Sequence, residues 1–206
     1  LAAAEPSKNA SKWEKYRSLA AAGSRPRPMD LDPDGKPATI VRWLDGWNSL
    51  DTKDGVQTLR FWNQGVSTNY FSNVDEETGD PQPIFNRYTP ENYYCGCVAT
   101  AGASVMHYFR VPEGAVYTSA CGVSGVTTAL TTKGGAYDWS LIDNLNLTYG
   151  APVELSDEAM DLLGRVAYDC GVGCEMAYSA EGSGSNTCKL QDSFRKVFNA
   201  KHAQLV

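Results

Sequence analysis

Two cysteines separated by a single residue, Cys95 and Cys97, stand in the stretch "YYCGCVATAGASVMHYF" from Tyr93 to Phe109, and from Cys97 onward that stretch reads as a helix. A cysteine in the first turn of a helix lies among unpaired backbone N–H groups at the positive end of the helix dipole, and both favour a thiolate. Cys97 is therefore a candidate nucleophile. The alternative is a small buried hydrophobe, which most free cysteines are. A thiol nucleophile needs a histidine to hold it as an ion pair and to protonate the leaving group. The chain has two, His107 and His202. His107 lies on the same helix as Cys97, about 15 Å away at 1.5 Å per residue, which excludes it as that partner and makes it a helix-face residue. With so few histidines and no Cys-x-x-Cys pair, neither a metal nor another cofactor is expected.

Three helices are expected to position these groups. The first, Cys97 to Tyr108, would place Val98, Ala101, Val105 and Tyr108 on one face, and its small residues Ala99, Gly102, Ala103 and Ser104 permit a close neighbour. Ser156 can cap the second, with Asp157 and Glu158 favourable in the first turn, an apolar stripe of Met160, Leu163, Ala167 and Cys170, and an end at Gly171. The third runs from about Thr187 to Asn199, with Leu190, Phe194, Val197 and Phe198 facing inward. The glycine-rich "SAEGSGSN" before it must be a loop. Residues 1–55 differ from the rest: an amphipathic "KWEKYRSLAAAG" precedes the Pro- and Asp-rich "SRPRPMDLDPDGKP", which reads as an arm or pro-segment remnant. The globular part is expected over residues 56–206.

The bulk composition excludes several classes. The 206 residues are 42% hydrophobic, and no apolar run approaches the eighteen or so residues of a membrane span. A net charge of −6 argues against a nucleic-acid partner, because phosphate neutralisation needs clustered Lys and Arg. The start at Leu1, in "LAAAEP", resembles the product of an export or processing cleavage. Six cysteines are too few for a disulfide scaffold of this length yet enough for two or three bridges, which points to a secreted or otherwise extracytoplasmic setting.

The string "GCVATAGASVMHYFRVP" resembles the active-site segment of the streptopain family of papain-like cysteine peptidases, in which a Gly-Cys-Val-Ala-Thr run opens the central helix. Three more tags follow the family's order: "FWNQG" upstream, "YDWSLI" after the helix, and "VAYDCGVGCEMAYSAEGSGS", which looks like its Asp-x-Gly-Val turn and Gly-Ser-rich loop. The similarity covers about residues 61–206. It implies an α+β, papain-like two-lobed fold, of which this chain supplies mainly the helical lobe. It also implies a secreted bacterial endopeptidase acting on protein or peptide substrates through an acyl-enzyme on Cys97.

Further expectations follow from the resemblance. Gln64, in "WNQG", would donate its amide to the oxyanion together with the Cys97 backbone N–H. Gly182, Ser183 and Gly184 would border the cleft and bind substrate backbone, while Asp138 and Trp139 would serve structure, the Trp in the core. His202 follows Cys97 by fewer than the about 130 to 150 positions usual for papain-type enzymes, and it lacks the family's strand context. The histidine is therefore expected on a C-terminal lobe, either left out or carried by a second chain that stays associated after cleavage near Val206. If Cys97 stays free and Cys170 is a buried thiol, the even remainder predicts bridges Cys95 to Cys121 and Cys174 to Cys188, the second fixing the loop by about 3 kcal/mol. The competing function is a catalytically inactive papain-like binding module in which Cys97 only packs.

Overall fold

The computed structural model describes residues 52–53, 56–57, 61–66, 69–143, 145, 147–200 and 203, all within the unit Arg42–Val206. The expected arm over residues 1–55 and His202 lie outside the described residues, apart from the short antiparallel pair β1 (Thr52–Lys53) and β2 (Val56–Gln57) at the boundary.

Three helices carry the core: α1 (Cys97–Phe109), α3 (Asp157–Gly173) and α4 (Lys189–Lys196). The short α2 (Ser140–Asp143) lies between them in sequence. Helix α3 starts where the cap chemistry says it should, since the Ser156 hydroxyl accepts the Ala159 N–H at 3.3 Å and Asp157 and Glu158 occupy the first turn. Its Leu162, Leu163 and Val166 are fully buried, each contributing about 2 kcal/mol of apolar burial. The helix does not stop at Gly171 as expected but continues to Gly173, so the Asp-x-Gly-Val residues Asp169 to Val172 form its last turn rather than a separate turn. Gly171 is small for a packing reason: a Cβ there would lie 2.3 Å from the Tyr178 hydroxyl and 3.7 Å from Ala99 Cβ.

The buried face of α1 also differs from the expected one. Val98 is buried as expected and Val105 packs half-buried against the core, but Ala101 is exposed, and Ala99, Gly102, Ala103, Ser104, Met106 and His107 are buried. Small residues decide this, because a Cβ on Gly102 would come within 2.9 Å of Leu190 of α4 and 3.1 Å of the Cys170 sulfur of α3. Helix α4 is shorter than the expected span, but Val197 and Phe198 beyond it are buried and Leu190 and Phe194 pack against the core.

Strands complete the α+β mixture. β4 (Thr118–Val123) and β5 (Val126–Thr131) form an antiparallel hairpin, and β7 (Ala177–Tyr178) pairs parallel with the other edge of β4. Positive φ at both Ser124 (48°) and Gly125 (81°) closes the hairpin tightly in the sense that matches strand twist. The pair β3 (Glu113–Gly114) and β6 (Gly135–Ala136) is held to α3 by Asp169, whose buried carboxylate accepts the Lys133 and Gly134 N–H groups at 2.6 and 3.0 Å and the Tyr137 hydroxyl at 2.6 Å. Burial nevertheless outweighs these donors and raises the Asp169 carboxyl above its ordinary value.

Candidate active site

Cys97 is exposed at the first position of α1, so the reading of it as a small buried hydrophobe does not hold. The residue before it fixes how the chain enters the helix. Gly96 has φ 88° and ψ 147°, a conformation that disfavours any side chain, and a Cβ there would lie 2.8 Å from Met176 Sδ and 3.0 Å from the Ser183 carbonyl. Glycine is thus required both for the turn and for the close approach of the 182–184 loop.

Two segments distant in sequence meet at this helix head. From upstream, the Gln64 carbonyl accepts the Cys95 N–H at 2.8 Å, and the Gly65 carbonyl accepts the Phe85 N–H at 3.1 Å. The Thr100 hydroxyl, one turn into α1, lies 3.0 Å from the Gly96 carbonyl, 3.3 Å from the Asn63 carbonyl and 3.4 Å from the Cys95 sulfur. From downstream, Ala177 and Gly184 exchange both backbone hydrogen bonds (2.9 and 3.0 Å), and the Ser179 hydroxyl donates to the Gly182 carbonyl at 2.7 Å. The main chain of Gln64 and the Ser183 carbonyl therefore flank the residues leading into Cys97. Tyr94 adds an exposed ring against Gly65, where a Cβ would come within 2.8 Å of it.

Four other thiols, those of Cys95, Cys121, Cys170 and Cys174, are buried. Burial pushes the Cys95 thiol up to about 12 and Cys174 likewise to about 12, and raises Cys170 and Cys121. Cys170 is the buried free thiol expected. The expected bridges are corrected: Cys95, Cys121, Cys174 and Cys188 are all free. Cys95 Sγ faces the Asn63 carbonyl and Thr100, whereas Cys121 Sγ faces Ser119 Oγ at 3.6 Å and the Val172 carbonyl at 3.9 Å. Cys174 turns inward to the Gly171 carbonyl at 3.4 Å while Cys188 is exposed at the start of α4. The loop between them is closed by the Ala177–Gly184 pair and by a hydrogen bond from the Ser185 hydroxyl to the Cys174 carbonyl, so it needs no covalent staple.

His107 lies on the buried face of its helix, with no exposed surface. Its Nε2 is 3.1 Å from Asp143 Oδ1, and its ring stacks on Trp139 with centroids 5.0 Å apart. Trp139 is in the core as expected, and Asp138 caps α2 through the Ser140 N–H and hydroxyl. Among the described residues no group of three or more His, Cys, Asp or Glu is arranged to hold a metal ion.

Cys97 is thus an exposed thiol on the first turn of a helix whose inner face is buried, with two loops bordering the residues that lead into it. The family is identified by its sequence model: that of the Peptidase C10 family matches residues 80–206, and the chain belongs to that family, as the motifs had suggested. Among solved structures, the chain is similar to active wild-type interpain A cysteine protease of Prevotella intermedia, at 24% identity and a TM-score of 0.42 over 70% of this chain and 55% of that one. It is also similar to a prointerpain A fragment of Prevotella intermedia, at 20% identity and a TM-score of 0.41 over 95% of this chain and 56% of that one. The chain thus spans about 55% of the length of these structures. No curated protein matches it.

Proposed function

We propose that this chain is the nucleophile-bearing part of a secreted bacterial cysteine endopeptidase of papain-like fold. The single observation that carries the reading is an exposed thiol, Cys97, on the first turn of a buried helix in a member of the Peptidase C10 family. The Cys97 sulfur attacks the scissile carbonyl carbon, and the carbonyl π electrons move onto oxygen. The Cys97 backbone N–H and the Gln64 amide stabilise that oxyanion. Collapse breaks the C–N bond, the amine leaves with a proton from a histidine, and water then cleaves the thioester to release the acid and restore the thiol. Gly182, Ser183 and Gly184 hold the substrate backbone beside the thiol. The histidine comes from outside the described residues, on a C-terminal lobe that belongs to the same polypeptide or to an associated second chain. The inactive binding module is disfavoured because an exposed thiol does not serve packing.

The test is Cys97→Ala in the complete protein. Hydrolysis of an unfolded protein substrate is expected to vanish while circular dichroism and the unfolding midpoint stay close to wild type, and activity surviving in this variant would sink the assignment.

A further inference from the structure

We propose that His107 is a positioning residue that holds the Phe61–Gln64 segment, and with it the Gln64 amide, in place beside the head of α1. The proposal rests on the peptidase reading for the role of Gln64, but the tether itself is a matter of geometry. His107 has no exposed surface, stacks on Trp139 and meets Phe61 edge-on with ring centroids 5.5 Å apart. The Trp62 indole N–H donates to His107 Nδ1 at 3.4 Å. Nδ1 is then the acceptor, which puts the ring proton on Nε2, facing Asp143 Oδ1 at 3.1 Å. That carboxylate is itself fixed by Arg110 at 2.9 Å, so ring orientation is set from both nitrogens.

The consequence runs one step along the chain. Trp62 is two residues before Gln64, and the segment's other end is attached to the helix head through the Asn63 carbonyl near Thr100 and the Gln64 carbonyl on the Cys95 N–H. The segment is therefore anchored to α1 twice, at its N-terminal turn and near its C-terminal end. A phenylalanine at position 107 would fill the space but leave the Trp62 N–H without this acceptor. Histidine supplies both the flat ring and the acceptor.

Two amide replacements separate the two ring nitrogens. His107→Asn puts an amide oxygen near the Nδ1 position and can still accept from Trp62, whereas His107→Gln reaches the Nε2 position and keeps Asp143 while losing Trp62. In the complete protein, His107→Gln is expected to lower kcat about tenfold or more with KM little changed, because a displaced oxyanion donor acts on the transition state. His107→Asn should retain most of kcat. Trp62→Phe keeps the ring packing, should reproduce the His107→Gln loss, and decides the matter alone if His107→Gln fails to fold. Hydrogen exchange of the Cys95 backbone N–H reads the tether without activity and should quicken in His107→Gln and Trp62→Phe but not in His107→Asn. Wild-type kcat and unchanged Cys95 protection in Trp62→Phe, or a lower kcat for His107→Asn than for His107→Gln, would overturn the proposal. If the wild-type protein hydrolyses no peptide, the peptidase reading fails instead, and the exchange experiment still decides whether His107 holds the segment.

Discussion

Gly171 and Tyr178 form a contact whose energetics change sign with a single oxygen atom. An alanine at 171 places its Cβ 2.3 Å from the Tyr178 hydroxyl oxygen, so that oxygen must retreat by about 1 Å to regain ordinary contact. Tyr178 has little freedom to do so, being almost fully buried and held in β7, with its carbonyl accepting the Ser124 N–H at 2.9 Å. Overpacking of this kind costs about 1–3 kcal/mol, while replacing a helix-interior glycine by alanine returns about 1 kcal/mol. Gly171→Ala alone should therefore destabilise by about 1 kcal/mol. The Tyr178 hydroxyl finds no hydrogen-bond partner among the described residues, so Tyr178→Phe should be neutral or mildly stabilising. In that background the nearest atom to the new Cβ is Cζ at 3.4 Å, a tolerable contact, and Gly171→Ala should now stabilise by about 1 kcal/mol. The cycle predicts a coupling of about 2 kcal/mol, measured by urea unfolding of the four proteins followed by far-ultraviolet circular dichroism. Equal effects of Gly171→Ala in both backgrounds would refute the packing argument.

Two other outcomes are expected. Gly96→Ala should cost about 1–3 kcal/mol from the backbone strain at φ 88° and should slow alkylation of Cys97 by iodoacetamide, read by peptide mass mapping, because the helix head shifts from the Ser183 carbonyl; wild-type stability together with wild-type alkylation would contradict the geometry. Asp169→Asn should destabilise by about 2 kcal/mol, since an amide cannot accept from Lys133, Gly134 and Tyr137 together. The folded-state Asp169 value is raised by burial above its ordinary 3.8, so the ionisable group's contribution is full below that pH and is lost as pH rises through the folded value. The stability gap between wild type and Asp169→Asn should accordingly narrow as pH rises above 3.8, and a widening gap would reverse the sign of that argument.

What was legible in the sequence was local. The start of α1 at Cys97 and the Ser156 cap of α3 depend on residues within one turn, and the string around Cys97 carried the family. The α+β class followed from that resemblance. The misreadings came from contacts between remote segments. Gly171 looked like a helix stop because nothing nearby indicates that the Tyr178 hydroxyl will lie against it. The buried face of α1 is made by Ala99, Gly102 and Ala103, which have little hydropathy but admit α3 and α4 closely. The burial of His107 depends on Trp62, Trp139 and Asp143, which no periodicity along α1 reveals. The hairpin β4–β5 did offer a signal, the Ser124–Gly125 pair between flanking valines, but β4 itself is built from weakly hydrophobic Thr, Ser, Ala, Cys and Gly. Elimination among six cysteines yields an even set, but which way each thiol faces depends on the tertiary fold.

The residues leading into Cys97 are flanked by Asn63 and Gln64 on one side and Ser183 on the other, segments that lie far apart along the chain. A ribosome delivers Cys97 well before it delivers Ser183. Until that loop emerges and closes onto Gly96, the entry to α1 lacks one of its two neighbours. Closing such distant contacts costs chain entropy that only the assembled core repays, which ties the surroundings of Cys97 to completion of the fold rather than to formation of its helix.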